Sequence, residues 1–180
     1  MEFIKTKLEG CYIIEPKVFK DERGHFFESF NQKQFEKNTN LSINFVQDNV
    51  SKSTYGVLRG LHFQDGAHAQ AKLVSVSKGK VLDVAVDLRK NSKTFGQAVQ
   101  VVLSAKNKKQ MFIPRGFAHG FVVLSKEAVF NYKCDNFYNK TSEKGINYKD
   151  LGIDWLVDEK DICVNERDNN LPFLKDYKVK

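Results

Sequence analysis
The sequence predicts a mainly β fold, a sandwich or barrel closed by a few short helices, and three observations carry that prediction. Apolar residues recur with a period of two in most patterned segments, as in "KVLDVAVDLR". The β-like runs are short and bounded by Gly, Lys or Asn, a spacing typical of sandwiches and barrels. Only one segment has a good helix start. The 180 residues suffice for one sizeable core, and no Pro-, Ser- or Gly-rich stretch divides them, so residues 1–180 read as a single domain.

Taken in chain order, "NQKQFEKN" is the helix, with Asn31 able to cap it and Gln34 three residues on, as in a capping box. It is short, and its expected task is to close an end of a sheet. "GVLRGLHFQ" reads as a core strand carrying Arg59 and His62. Simple alternation would place those two on opposite faces, so a common ligand requires a bend, expected at Gly60. "KLVSVS" is joined through "KGK" to "KVLDVAVDLR", which predicts a hairpin. In the second strand Leu82, Val84, Val86 and Leu88 share an apolar face, while Asp83, Ala85, Asp87 and Arg89 face a polar environment. Further strands are expected in "AVQVVLS", "QMFI", "GFVVL" and "AVFNYKC". A short turn or helix fits Leu151 to Asp161, and "NERDNNLPFL" reads as loop, because Pro172 and three Asn limit regular structure.

Charge and cysteines narrow the function classes. The net charge of +7 and pI near 9.2 raise the possibility of a nucleic-acid polymer as partner. The lysines are scattered, however, and the clusters "KNKK" and "KDYKVK" read as a solvated turn and terminus. No nucleic-acid polymer is expected. "MEFIKTKLEG" lacks the apolar run of a signal peptide, and no stretch approaches the roughly 18 apolar residues of a membrane span. Cys11, Cys134 and Cys163 are odd in number and lack C-x-x-C spacing, which suits a reducing cytoplasm. A soluble, cytoplasmic protein without membrane contact is the expectation.

Four polar residues stand inside apolar strands: His62, Lys72, His119 and Tyr132. Alternation puts His119 with Phe117 and Phe121, and Tyr132 with Phe130, on single faces. If those faces line the interior, the four groups converge on a ligand cavity. Taken singly, Lys72 could snorkel to the surface, Tyr132 could be a core aromatic, and His119 could bond a carbonyl of the nearby "PRGF" turn. Four such residues in one all-β chain favour the cavity.

"PRGFAHGF" resembles the second motif of cupins, whose histidine binds metal. The first cupin motif would add two histidines as H-x-H, but here Phe63 and Gln64 follow His62, and His68 lies six residues on across Gly66. Phe and an amide cannot replace imidazole ligands, so no metal is expected.

Over nearly its whole length the chain resembles the dTDP-4-dehydrorhamnose 3,5-epimerases. The resemblance rests on "DERGHFFESF", "FVQDNVSKS", "GVLRGLHFQ", "KLVSVSKGKVLDVAVDLR", "FIPRGFAHGFVVL", "YKCDNFY", "GINY" and "LGIDW", in that order. It implies a cupin-like jelly roll without metal or other cofactor, a dTDP-sugar substrate, and a homodimer with exchanged amino-terminal strands. The implied reaction converts dTDP-4-dehydro-6-deoxy-D-glucose to dTDP-4-dehydro-L-rhamnose. Inverting a carbon beside a ketone needs a base, a charge stabiliser for the enolate and an acid across the ring.

By position in the family's motifs, His62 is the base, and imidazole is a residue type available as a neutral base near neutral pH. Asp168 in "NERDNN" is its partner, Lys72 the cation near the keto oxygen, and Tyr132 the general acid. Arg23 and Arg59 match diphosphate ligands, a task suited to the guanidinium fork. His119 matches a contact in the same region, and Tyr138 matches the aromatic that stacks on thymine. Glu28, Gln47, Asp48, Asn49, Glu143 and Arg167 match further substrate contacts, some of which could cross the dimer interface.

Three departures touch the cavity mouth. Phe63 stands where many members have tyrosine, "DGAHAQ" lacks a usual proline, and Asn139 replaces a proline after Tyr138. None removes a proton-transfer group. Alternatives are an epimerase acting at C3 or C5 alone, a metal-dependent cupin enzyme, and a binder of sugar nucleotides without catalysis.

Overall fold
A computed structural model describes residues 1–177. The last three residues of the "KDYKVK" tail lie outside the described residues. The strands are β1 (Glu2–Lys5), β2 (Tyr12–Glu15), β3 (Phe19–Asp21), β4 (Gly24–Phe26), β5 (Gln47–Thr54), β6 (Leu58–Gln64) and β7 (Lys72–Lys78). They continue as β8 (Lys80–Asp87), β9 (Ala98–Ser104), β10 (Gln110–Ile113), β11 (Phe117–Val123), β12 (Glu127–Cys134) and β13 (Glu143–Gly145). Helix α1 spans Gln32–Thr39 and α2 spans Glu166–Asn169. Six strands form one sheet in the order β1-β2-β10-β7-β12-β5, and five form another in the order β13-β6-β11-β8-β9. The ribbon of β3 and β4 pairs only with itself.

The sheets meet over a core to which β7 and β10 contribute Val74, Val76, Met111 and Ile113, and β8 and β11 contribute Val81, Ala85, Phe117 and Phe121. Each outer face has its own cover. Leu82, Val84 and Val86 pack beneath Ile146, Tyr148 and Trp155 of the carboxyl-terminal segment. Tyr12, Ile14, Leu73 and Phe112 receive Phe35 of α1. Burial of one such phenylalanine contributes about 1.5–3 kcal/mol.

The expected strands form, and α1 starts where Asn31 predicts, its side chain accepting the Gln34 N–H at 3.1 Å. Four expectations need correction. The helix covers an outer sheet face rather than an end, because Phe35 fits between Tyr12, Leu73 and Phe112. Strands β7 and β8 do not form a hairpin; they belong to different sheets, and Gly79, at φ +77°, turns the chain from one layer to the other. A Cβ there would lie 2.0 Å from the Glu127 carbonyl oxygen, so only glycine fits this crossing. The face of β8 holding Asp83 and Asp87 is not solvated, since both carboxylates are fully buried between the sheets. Finally, the segment read as loop contains α2, with Asn165 accepting the Asp168 N–H at 2.7 Å.

Candidate active site
A cavity of about 230 Å³ opens between the sheets, walled by Arg59, His62 and His119 on one side and by Lys72, Phe130 and Tyr132 on the other. Asn165, Arg167 and Asp168 close a third side. The four polar strand residues expected to converge do so.

Strand β6 bulges to make this possible. His62 pairs with His119 and Arg59 with Phe121, so three steps along β6 match two along β11, and the register shift brings both side chains to one cavity. The shift lies at Gly60, as expected. Gly60 has φ +132°, and a Cβ there would sit 2.5 Å from the Gly120 Cα.

The carboxyl-terminal segment reaches His62 because it is tied alongside β6: Leu58 N–H donates to the Cys163 carbonyl at 2.8 Å, and Cys163 N–H to that of Gly56 at 2.9 Å. From there α2 aims Asp168 inward. Its Oδ1 lies 2.8 Å from His62 Nε2, and its Oδ2 accepts the Gly60 N–H at 3.2 Å. Burial alone would raise the Asp168 pKa, but the bonds from His62, Gly60 and Arg167 outweigh it and hold the carboxyl below its usual range. An ionised Asp168 favours the tautomer with the proton on Nε2, in which the Nδ1 lone pair of His62 is open to accept a proton.

Arg167 packs against this pair. Its Nη2 lies 3.1 Å from His62 Nε2, and its fork grips Glu143 at 2.7 and 3.2 Å. The Tyr138 hydroxyl donates to Glu143 at 2.9 Å, while the Tyr138 ring is half exposed at the rim. Burial alone would raise the Glu143 pKa, but Arg167 and Tyr138 bring it down. Gln47 accepts the Tyr138 N–H at 3.1 Å and donates to Asn49 at 3.1 Å, extending the rim.

Opposite His62, burial pushes the Tyr132 phenol up, so it stays protonated at neutral pH. Burial likewise pushes Lys72 down. Arg59 donates from Nε to Ser53 Oγ at 3.1 Å.

Of the expected site residues, Arg59, His62, Lys72, His119, Tyr132, Arg167 and Asp168 line the cavity, and Glu143, Tyr138, Gln47 and Asn49 are joined to it by a hydrogen-bond chain from Arg167, Asn49 lining the larger cavity as well. Three are elsewhere in the chain. Asp48 points to the opposite face of its sheet and pairs with Lys133 at 2.8 Å. Arg23 is exposed at the tip of the β3 and β4 ribbon, bound to Asp21 at 2.5 Å, and Glu28 accepts from Asn31 at 3.0 Å. Sequence reasoning passed over Asp83, which holds His119 at 2.8 Å, and Ser51, whose buried hydroxyl faces the cavity unpartnered. An aspartate in the apolar frame of "VLDVAVDL" was the available signal for the first.

A larger cavity, about 420 Å³, lies over the outer face of the six-stranded sheet among Ser75, Ser77, Asn131 and Lys133. It has no histidine in its lining and shares Tyr132 with the smaller cavity. Among the described residues, no group of three or more His, Cys, Asp or Glu side chains is placed to hold a metal ion.

A family model described as dTDP-4-dehydrorhamnose 3,5-epimerase matches residues 5–176. The chain is 57% identical over 169 residues to a Shigella flexneri protein of that name, covering 90% of this chain and 93% of the relative. The crystal structure of the dTDP-4-dehydrorhamnose 3,5-epimerase from Elizabethkingia anophelis superposes with a TM-score of 0.95 at 61% identity, covering 98% and 97% of the two chains. A Legionella pneumophila epimerase crystallised with dTDP-4-keto-L-rhamnose gives a TM-score of 0.94 at 49% identity, covering 98% and 94%. The shared architecture is the cupin-like β-sandwich. With its two-sheet fold and a His62 and Asp168 pair facing Tyr132 across one cavity, the chain belongs to the dTDP-4-dehydrorhamnose 3,5-epimerase family.

Proposed function
We propose that this protein epimerises dTDP-4-dehydro-6-deoxy-D-glucose at C3 and C5, giving dTDP-4-dehydro-L-rhamnose. The observation that carries the reading is a base held by a carboxylate on one sheet and a half-buried phenol on the other, with a lysine between the layers. His62 Nδ1 takes the proton from the carbon beside the C4 ketone, and the C–H electron pair moves onto the keto oxygen. Asp168 stabilises the imidazolium that forms. The Lys72 ammonium meets the enolate charge where the low dielectric makes it most effective. Tyr132 gives its proton to the opposite face of the carbon, and solvent restores both groups to their starting states. Neither step calls for a redox cofactor or a metal.

Arg59 and His119 are read as ligands of the diphosphate, Tyr138 as the stacking partner of the base, and Gln47, Asn49, Glu143 and Arg167 as rim contacts. Arg23, Glu28 and Asp48 do not face this cavity within one chain. The ribbon of β3 and β4 exposes Phe19 and Phe26 and pairs only with itself, which suits its insertion into a second copy. We therefore infer a homodimer in which Arg23 and Glu28 complete the neighbouring site. Residues 1–180 are read as one domain. A cytoplasmic location fits three unpaired cysteines and the lack, among the described residues, of a helix long and apolar enough to cross a membrane.

Turnover in deuterium oxide tests the reaction. Label should enter C3 and C5 of the sugar, and H62A should abolish exchange at both positions. Label at one carbon alone reduces the reading to a single-centre epimerase; no label from the wild-type protein refutes it.

A further inference from the structure
Asp83 is a fully buried carboxylate and Lys72 a half-buried lysine on the cavity wall, and among the described residues no ion pair joins them. Lys72 opens β7 in the six-stranded sheet, and Asp83 lies in β8, between β11 and β9 of the five-stranded sheet. Among the described residues Lys72 forms no salt bridge, and an ammonium partly withdrawn from water gains from a counter-charge. Asp83 is fully buried, with Oδ1 2.8 Å from His119 Nε2 and Oδ2 without a hydrogen-bond partner among the described residues. A half-bonded buried carboxylate calls for a counter-charge.

The groups near Lys72 can be sorted by the charge each has to spare. Cys134, opposite it on β12, is an acid whose thiol burial pushes up to about 11, so it is neutral at physiological pH. Tyr132 is a protonated phenol. His119 is held toward its neutral form, chiefly by burial. His62 shares its proton with Asp168, whose charge is met by His62 and Arg167. Glu143 is gripped by the Arg167 fork. Among the described residues, Asp83 alone of these is a carboxylate with no lysine or arginine in direct contact. Burial pushes Asp83 up and Lys72 down, and each acts on the other in the opposite sense, so a charge on one favours a charge on the other.

We propose that Asp83 is a positioning residue for catalysis: its buried carboxylate orients His119 through Oδ1 and supplies across the cavity the counter-charge to the Lys72 ammonium. It touches no reacting atom. Its effect reaches the reaction through Lys72, and the proposal rests on the reading of Lys72 as the group that meets the enolate. An asparagine at position 83 keeps the size and the oxygen that accepts from His119 but removes the charge.

The test is kinetic, with wild-type turnover as the reference that separates this proposal from the epimerase reading itself. In D83N, kcat should fall at least about tenfold, toward the losses seen when a charge-stabilising group is removed. KM should change less than about twofold, and the alkaline limb of the kcat profile should move to lower pH. A carboxylate with only a structural role would leave that limb where it is in an active wild-type background, and that result overturns the proposal. In a K72M background, D83N should cost less than a further twofold in kcat; another tenfold loss also overturns it. Should D83N fail to fold, the melting transition of the D83N/K72M pair decides. Its recovery supports the paired charges, and a double variant as unfolded as D83N refutes them.

Discussion
Arg59 and His62 are three residues apart on one strand, yet both side chains enter the same cavity, because β6 bulges against β11 between them. The bulge depends on two facing glycines. A Cβ on Gly60 would lie 2.5 Å from the Gly120 Cα, and one on Gly120 would lie 2.7 Å from the Arg59 carbonyl oxygen. Gly60→Ala should therefore cost at least about 2 kcal/mol, from its φ of +132° and from the clash together. The urea midpoint measures the loss, and a variant as stable and active as the wild type would show that β6 has another way to turn.

In the proposed reaction Asp168 acts through the charge of His62, to which it is bonded at 2.8 Å. Replacing it with asparagine preserves size but removes the ion that stabilises the imidazolium and selects the tautomer. Asp168→Asn should lower kcat by about 10²–10⁴, with a smaller change in KM. A kcat within a few-fold of wild type would mean that the Asp168 contact only ties down α2.

Tyr132 stands on the sheet opposite His62, which suits delivery of a proton to the face opposite the one deprotonated. In Tyr132→Phe, label from deuterium oxide should still exchange into recovered substrate, while the yield of inverted sugar falls by about 10² or more. Inversion at the wild-type rate would place the acid elsewhere.

Acid lability should trace in part to Asp87. Burial alone would raise its pKa, but bonds from Arg89, Ser92 and Thr94 outweigh this and hold the carboxyl at about 2 in the folded protein. Its contribution, about 2 kcal/mol, is present above the unfolded value of about 3.8 and is lost as pH falls toward 2. Unfolding free energies at pH 5 and pH 2 should differ less in Asp87→Asn than in the wild type. Identical differences would assign the acid transition to other carboxylates.

The sequence by itself determined the mainly β class, the start of α1 at Asn31, most of the strands over the second half, and the set of polar residues that meet in the cavity. Those features are written in short-range patterns: alternation tells which residues share a face, and a histidine or lysine in an apolar run stands out against it. The bend at Gly60 was legible only with the family resemblance, which assigns Arg59 and His62 to one substrate where alternation alone separates them. Strand β5 left no such signal, because Asn49, Ser51 and Ser53 on one face and Asp48 and Lys52 on the other are polar alike.

Only the tertiary structure decided how these pieces pair. Alternation in β7 and β8 fits a hairpin as well as a crossing between layers, and the packing of β7 between β10 and β12 chose the crossing. The apolar and acidic faces of β8 read as inside and outside until the second sheet covered the acidic one, which buried Asp83 beneath His119. Asp168 lies 106 residues from His62, in a segment whose local composition says loop. What places it is the backbone pairing of Cys163 along β6, a long-range contact that no local periodicity encodes.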